Sequence, residues 1–177
     1  MATPDEMVAV LKAKFSSISF DPKPLLMRGE EAGDQIYIRV EPENLVEVMH
    51  FLRDDPGTRF EQLIDVTCVD YLNFPEAEDR YGVVYSLLSI THNHRIWVKC
   101  FVNDPSPKLP SVIGVWKGAD WMEREVFDMF GVVFEGHPDL RRILTWDGFE
   151  AHPLRKDYPL RGKGERENYE VVTRDSA

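Results

Sequence analysis

Apolar residues recur along this chain with two periods, and the changes between them mark its elements. Met7, Leu11 and Phe15 stand four apart behind Thr3-Pro4-Asp5-Glu6. That tetrapeptide is a capping box, with threonine as N-cap, proline at the first helical position and glutamate in the first turn. An opening amphipathic helix is expected there. Asp21-Pro22-Lys23-Pro24 breaks the chain. Gln35–Val40 then alternates, with Ile36, Ile38 and Val40 on one side, the period of a half-buried strand. From Pro42 the helical period returns, with Leu45, Val48, Met49 and Leu52 as its stripe, and it stops before Asp55-Pro56-Gly57.

Ile64–Asp70 alternates again, and Ile64, Val66 and Cys68 fall on one face. Tyr81–Ile90 and Arg95–Val102 read as a long hairpin around Thr91-His92-Asn93-His94, its second strand placing Ile96, Val98, Cys100 and Val102 together. Asn103–Pro110 is a proline-rich loop, and a short turn or helix is expected from Ser111. A further helix is predicted over Ala119–Phe130, where Met122, Val126 and Phe130 recur at every fourth position and Phe127 widens the stripe. Gly131 suits the left-handed residue that ends a helix. Beyond it, one turn of helix is expected at Asp139–Leu144 and little else that is regular. The order implies an α+β fold: a mixed, mostly antiparallel sheet with helices packed on one face, followed by a loop-rich C-terminal extension. The expected division puts the α+β domain in residues 1–130 and the extended segment in 131–177, with a polar tail from 162. Neither repeats nor low-complexity stretches interrupt it.

Composition supports a packed core: the 177 residues are 43% hydrophobic and 11% aromatic. Charge narrows the partners. There are 31 acids against 21 bases, a net charge of -10, where nucleic acid calls for a basic footprint and anionic lipid for a basic patch. No apolar run is long enough to cross a bilayer. The opening MATPDEMVAVLKAKF carries acids in its first turn and has the pattern of neither a signal nor a transit peptide. A cytosolic chain is expected, held at any membrane through a partner. Cys68 and Cys100 lie far apart with no C-x-x-C, so zinc or iron–sulfur ligation by this chain alone is not expected. Nor is a disulfide expected in a reducing compartment. Both cysteines fall on apolar strand faces, where a thiol acts as a small hydrophobe.

Candidate chemistry concentrates in Glu123–Leu144, EREVFDMFGVVFEGHPDLRRIL. Asp120 and Arg124 are spaced as a helical ion pair, and Asp120 and Glu123 lie at the positive end of the helix dipole. Asp128 is misplaced, in the last turn, where negative charge is disfavoured. It calls for a cation from elsewhere: Arg141, Arg142, Arg155 or Lys156, with Gly136-His137-Pro138 turning the chain back to bring the first two near. Glu123, Glu125 and Asp128 have the makings of paired carboxylates for acid–base work, but no nucleophile or matching acid accompanies them. His92 and His94 form an H-x-H that reads as an exposed turn ahead of a metal pair. His137 and His152 each precede a proline and read as loop-fixing residues. Arg161-Gly162-Lys163-Gly164 lacks the phosphate-loop pattern, and neither a dinucleotide fingerprint nor a nucleophile elbow nor a zincin motif occurs. Pro153–Leu160 combines Arg155, Lys156, Asp157 and Tyr158 between prolines. Such a segment suits laying across another protein surface, where arginine and tyrosine are favoured; the alternative is a strap over its own core.

Three stretches, Trp121–Gly131, Phe134–Leu144 and Pro153–Pro159, resemble the signature of the C-type subunit of NADH-quinone oxidoreductases, which lies in the peripheral arm of respiratory complex I. A weaker similarity extends upstream to about Phe60 and includes the hairpin and Leu109-Pro110-Ser111. The resemblance implies a structural subunit with no catalytic residue and no flavin, iron–sulfur cluster or quinone of its own, the FMN, clusters and quinone of the assembly lying on other chains. It implies packing chiefly against the D-type subunit, which helps form the quinone pocket, and the B-type subunit, which carries the terminal cluster. The place it implies is peripheral, on the cytoplasmic side of a bacterial plasma membrane. Glu123, Arg124, Glu125, Asp128, His137, Arg141, Arg142, Arg155, Lys156 and Asp157 are then expected in interfaces or a structural charge cluster. Related arms of membrane-bound hydrogenases and of chloroplast or cyanobacterial complexes share parts of this domain, so an equivalent subunit there is the alternative; a free-standing acid–base enzyme is the remaining one.

Overall fold

The computed structural model describes residues 4–15, 23–26, 32–75 and 77–164, with side chains from residue 9 in the first segment, none in the second and from residue 36 in the third. Thr3, the expected N-cap, the side chain of Met7 and the tail beyond Gly164 lie outside that description. The first helix, α1, runs Pro4–Lys14, and Leu11 and Phe15 are buried. Two strands follow, β1 (Lys23–Leu26) and β2 (Ala32–Arg39), paired antiparallel. The first of these forms where the prolines read as a plain break: Pro24 lies in an edge strand, which tolerates a missing donor. A 3-10 turn at Pro42–Asn44 leads into α2 (Leu45–Asp54), which buries Leu45, Val48, Met49 and Leu52, the predicted stripe.

Next come β3 (Gln62–Asp70), β4 (Tyr81–Ser89) and β5 (His94–Val102). The five strands order β1-β2-β5-β4-β3, with β2 and β5 parallel and every other pair antiparallel. The sheet's inner face carries Ile38, Val66, Cys68, Val83, Tyr85, Leu87, Ile96, Val98 and Cys100, all in one core cluster with the buried residues of the helices. Ile64 does not join them; it is 39% exposed. The pairing skips from Leu63 to Asp65, so Ile64 is the extra residue of a bulge. One inserted residue resets the alternation, which is why Ile64 leaves the face that Val66 and Cys68 keep. On the outer face long side chains cover the centre, with the Arg39 guanidinium 4.6 Å from the Phe101 ring centroid and the Lys99 ammonium 3.9 Å from that of Tyr37.

Strand β6 (Lys108–Pro110) precedes α3 (Ala119–Phe130), and β7 (Val133–Glu135) follows it. These two short strands pair in parallel as a second sheet, a pairing that local periodicity does not reveal. Asp139–Leu144 forms bends rather than the expected helical turn. Val126 and Phe130 are buried on α3, with Met122 and Phe127 packed against the core. The helix packs along β3 and stops at Gly131, whose φ is +78°. A Cβ there would also stand 2.6 Å from both Arg155 and His152, so glycine is required by backbone and neighbours alike.

Candidate functional site

Several of the charged residues singled out in the sequence lie along α3, and the two ends of the helix differ. Near the first turns, Glu123 is fully buried. Its carboxylate accepts from the Ser111 hydroxyl at 2.6 Å and the Val112 N–H at 2.7 Å, fixing the loop before the helix. Burial pushes the Glu123 carboxyl up; the Ser111 hydroxyl, the Val112 N–H and His137 oppose this without overcoming it. The His137 side chain is fully buried. Its Nδ1 accepts from the Asp139 N–H at 3.1 Å, so Nε2 carries the proton and points to the Asp120 carbonyl at 3.1 Å. Asp120 Oδ1 lies 3.5 Å from the same nitrogen. The expected Asp120–Arg124 pair does not hold Arg124, which donates instead to the carbonyls of Arg141 and Arg142 at 3.1 and 3.2 Å. Orphan carbonyls of an irregular loop are the stronger claim on a fork of donors.

At the other end stands Asp128, with no exposed side-chain surface. Its cation is Arg142, at 2.7 Å. The Thr145 hydroxyl also donates to it, as do the N–H groups of Ile143, Leu144 and Thr145 at 3.0, 2.7 and 2.8 Å. Burial pushes this carboxyl up, and the Thr145 hydroxyl, the Thr145 and Leu144 N–H groups and Arg142 override it, pulling it down to about 2. Three consecutive N–H groups converging on one carboxylate make the 143–145 loop an anion cradle for a side chain of its own protein.

The last carbonyls of α3 are capped from His152 and the Pro153–Leu160 segment. His152 Nδ1 donates to the Asp128 carbonyl at 2.9 Å, the Leu154 N–H to that of Met129 at 3.1 Å, and Arg155 Nε to that of Phe130 at 2.6 Å. These are groups a helix leaves unpaired, and Arg155 there also suits the dipole. Burial lowers the His152 imidazole's affinity for a second proton, and nearby Arg155 and Arg142 act the same way against the Asp128 carbonyl. Arg141 is outside this cluster, pairing with Asp139 at 2.9 Å on the surface. Lys156 acts through its backbone: its N–H donates to Asp70 at 2.8 Å while its side chain is exposed. Glu125 is exposed.

Arg80 and Asp104 carry no signal in the sequence, yet with Asp70 they anchor the same segment. Arg80 contacts Asp70 at 3.2 Å, Asp157 at 2.9 Å and also Asp104. For the Asp70 carboxyl, burial opposes and Arg80 with the Lys156 and Leu72 N–H groups prevails, lowering it. Only an alternating strand ending in an acid, Val66-Thr67-Cys68-Val69-Asp70, hints at a buried partner. Elsewhere, His92 Nε2 is engaged with the Pro56 carbonyl at 2.9 Å, and among the described residues no group of three or more His, Cys, Asp or Glu is placed to hold a metal ion. No helix of the described residues is long and apolar enough to cross a membrane.

The chain is thus an α+β domain whose buried carboxylates Asp70, Glu123 and Asp128 accept from its own loops. Its family follows from comparison with known proteins. Residues 38–164 match the family described as respiratory-chain NADH dehydrogenase, 30 Kd subunit, and the chain belongs to that family. It is 46% identical to the C-type subunit of the NADH-quinone oxidoreductase of Coxiella burnetii, covering 75% of this chain and 70% of the relative. For the C-type subunit of Cupriavidus metallidurans the identity is 52%, over 75% and 68%. Against the mitochondrial NADH dehydrogenase [ubiquinone] iron-sulfur protein 3 of Candida albicans it is 50%, over 73% and 45%. Among solved structures, a trypsin-resistant fragment (1-134) of Nqo5 is similar with a TM-score of 0.61 and 31% identity, covering 76% of this chain and 98% of that one. A chain of the membrane-bound sulfane sulfur reductase, an archaeal respiratory membrane complex, shares the fold, with a TM-score of 0.70 at 23% identity over 96% and 93%.

Proposed function

We propose that this chain is a non-catalytic structural subunit of the hydrophilic arm of a proton-translocating NADH:quinone oxidoreductase. It holds in register the B-type subunit, which carries the terminal iron–sulfur cluster, and the D-type subunit, which helps form the quinone site. The chain binds no cofactor; FMN, iron–sulfur clusters and quinone belong to its partners. It sits on the cytoplasmic side of a bacterial plasma membrane and reaches the membrane only through the complex. Identities of 46% and 52% to C-type relatives support the NADH-linked assembly over a related one, since the likeness to the archaeal sulfane sulfur reductase complex rests on fold alone.

The observation that carries the non-catalytic reading is where the carboxylates go. Asp128 accepts from Arg142, Thr145 and three backbone N–H groups, and Glu123 from Ser111 and Val112. A general acid or base needs a lone pair or proton facing a substrate; these face the chain's own groups. The test is mild-detergent purification of the tagged chain from its native membranes. Recovery with the B-type and D-type subunits and NADH oxidation is expected, and recovery as a lone protein overturns the reading. Charge reversal of Arg142 or Arg155 is expected to lower the amount of assembled complex and leave the quinone KM of the remainder unchanged; full assembly with altered quinone kinetics contradicts it.

A further inference from the structure

Beside the Asp128 cradle lies a cleft of about 470 Å³ between the first turns of α3 and the loop after His137. Trp121, Met122, Ile143 and Leu144 form its apolar lining, and Lys117, Asp120 and Glu125 stand around them. Trp121 is 70% exposed and Leu144 62% exposed. Single exposed apolar residues are ordinary on a surface; a tryptophan and a leucine in one concave patch are not. The wall of the cleft is held rigid from behind. The N–H groups of Ile143, Leu144 and Thr145 all point to Asp128, while Arg124 holds the carbonyls of Arg141 and Arg142. With the backbone's polar groups drawn to the helix, Leu144 is left facing outward.

We propose that this cleft is a docking site for a neighbouring protein subunit, which inserts an apolar side chain flanked by a lysine or arginine. The proposal rests on the reading of the chain as an assembly subunit and names the surface and the chemistry of its partner. The apolar part follows from Trp121 and Leu144, an aromatic and an aliphatic anchor in a preformed recess, the arrangement in which binding energy concentrates. The cationic part follows from the rim: exposed Glu125 and the part-exposed Asp120 outnumber Lys117, on a chain of net charge -10. The rigid cradle gives Asp128 a second consequence, since a loop already fixed loses little freedom when a partner binds.

The experiment uses the full chain, expressed in its own cells in place of the native copy. Leu144→Asp and Glu125→Lys alter only exposed side chains, so both are expected to keep the wild-type Tm. Leu144→Asp is expected to reduce co-purification of the other subunits roughly tenfold or more, Glu125→Lys by less, and Leu144→Met to retain most of it. Wild-type assembly alongside an undiminished Leu144→Asp variant overturns this inference and leaves the subunit reading intact; failure of the wild type to associate overturns both. Trp121→p-benzoylphenylalanine, irradiated in the intact membrane complex, is expected to crosslink to another subunit at an apolar residue within a few positions of a lysine or arginine. Crosslinks to residues 165–177 of the same chain, to a second copy or to lipid each contradict it.

Discussion

Glu123 and Asp128 stand little more than one turn apart on α3, both fully buried, and their carboxyls move in opposite directions. Burial pushes each of them up. What differs is the company. Glu123 receives two neutral donors, whereas Asp128 receives a guanidinium, a hydroxyl and three backbone N–H groups. Desolvation acts on both in the same direction; it prevails at Glu123, and at Asp128 the more numerous and charged donors override it. The contrast extends to structure. The Glu123 end fastens a short loop, residues 111–112; the Asp128 end fastens the 142–145 loop, while the neighbouring helix terminus receives the 152–155 segment. The C-terminal end of α3 therefore bears most of the irregular segment that follows it among the described residues.

Asp128→Asn is the largest expected perturbation. Its amide would set two hydrogens against donors and leave Arg142 unpaired, a loss of about 3–5 kcal/mol for breaking a buried pair, read as a Tm drop. Residues 139–158 are expected to become sensitive to limited proteolysis, and unchanged protection would sink the clasp. The acid limb gives a second measurement. A carboxyl lowered to about 2 when folded stabilises above its unfolded value near 4 and loses that contribution as pH falls toward 2. The wild-type Tm should decline over that window more steeply than that of Asp128→Asn.

Gly131→Ala comes next. A left-handed alanine costs about 1–2 kcal/mol, and its Cβ must displace Arg155 and His152. Denaturant unfolding should show at least that loss; a neutral effect would mean that the helix terminus is not a tight junction. Glu123→Gln is the mildest, within about 1 kcal/mol of wild type near neutrality, because glutamine can still accept from Val112 and donate to Ser111. The sign of its pH dependence is opposite to that of Asp128. A carboxyl raised in the folded state stabilises below its unfolded value, and that contribution is lost as pH rises through the folded one. The Tm of wild type should therefore fall relative to Glu123→Gln on going from acid to neutral pH. Parallel curves would remove the contrast between the two acids.

Much of this is legible locally. The stripe Leu45, Val48, Met49, Leu52 and the bounds of α3 with its glycine stop follow from periods of a few residues, and so does the hairpin of β4 and β5. Asp128 can be recognised as an acid at the wrong end of a helix, because the dipole is a local property. Which of four cations answers it is not local: Arg142 does, Arg155 turns to the Phe130 carbonyl, Arg141 faces solvent, and Lys156 contributes only its N–H, to Asp70. The Ile64 bulge is hidden because it is defined by the partner strand. The Arg80 cluster is hidden because Asp70, Arg80, Asp104 and Asp157 meet only once the sheet has formed.

By itself, then, the sequence determined the main helices, the central hairpin and the α+β class, which rest on spacing along the chain, and it carried the family resemblance between Trp121 and Pro159. Tertiary structure alone decided the parallel pairings of β2 with β5 and of β6 with β7, the division of labour among the arginines, and the outward turn of Leu144 beside Trp121. The reason is range. Periodicity and dipoles act over a turn or two, whereas a buried charge is settled by every donor the fold brings within hydrogen-bonding distance. Arg142 reaches Asp128 from 14 residues away, and the Lys156 N–H reaches Asp70 from 86.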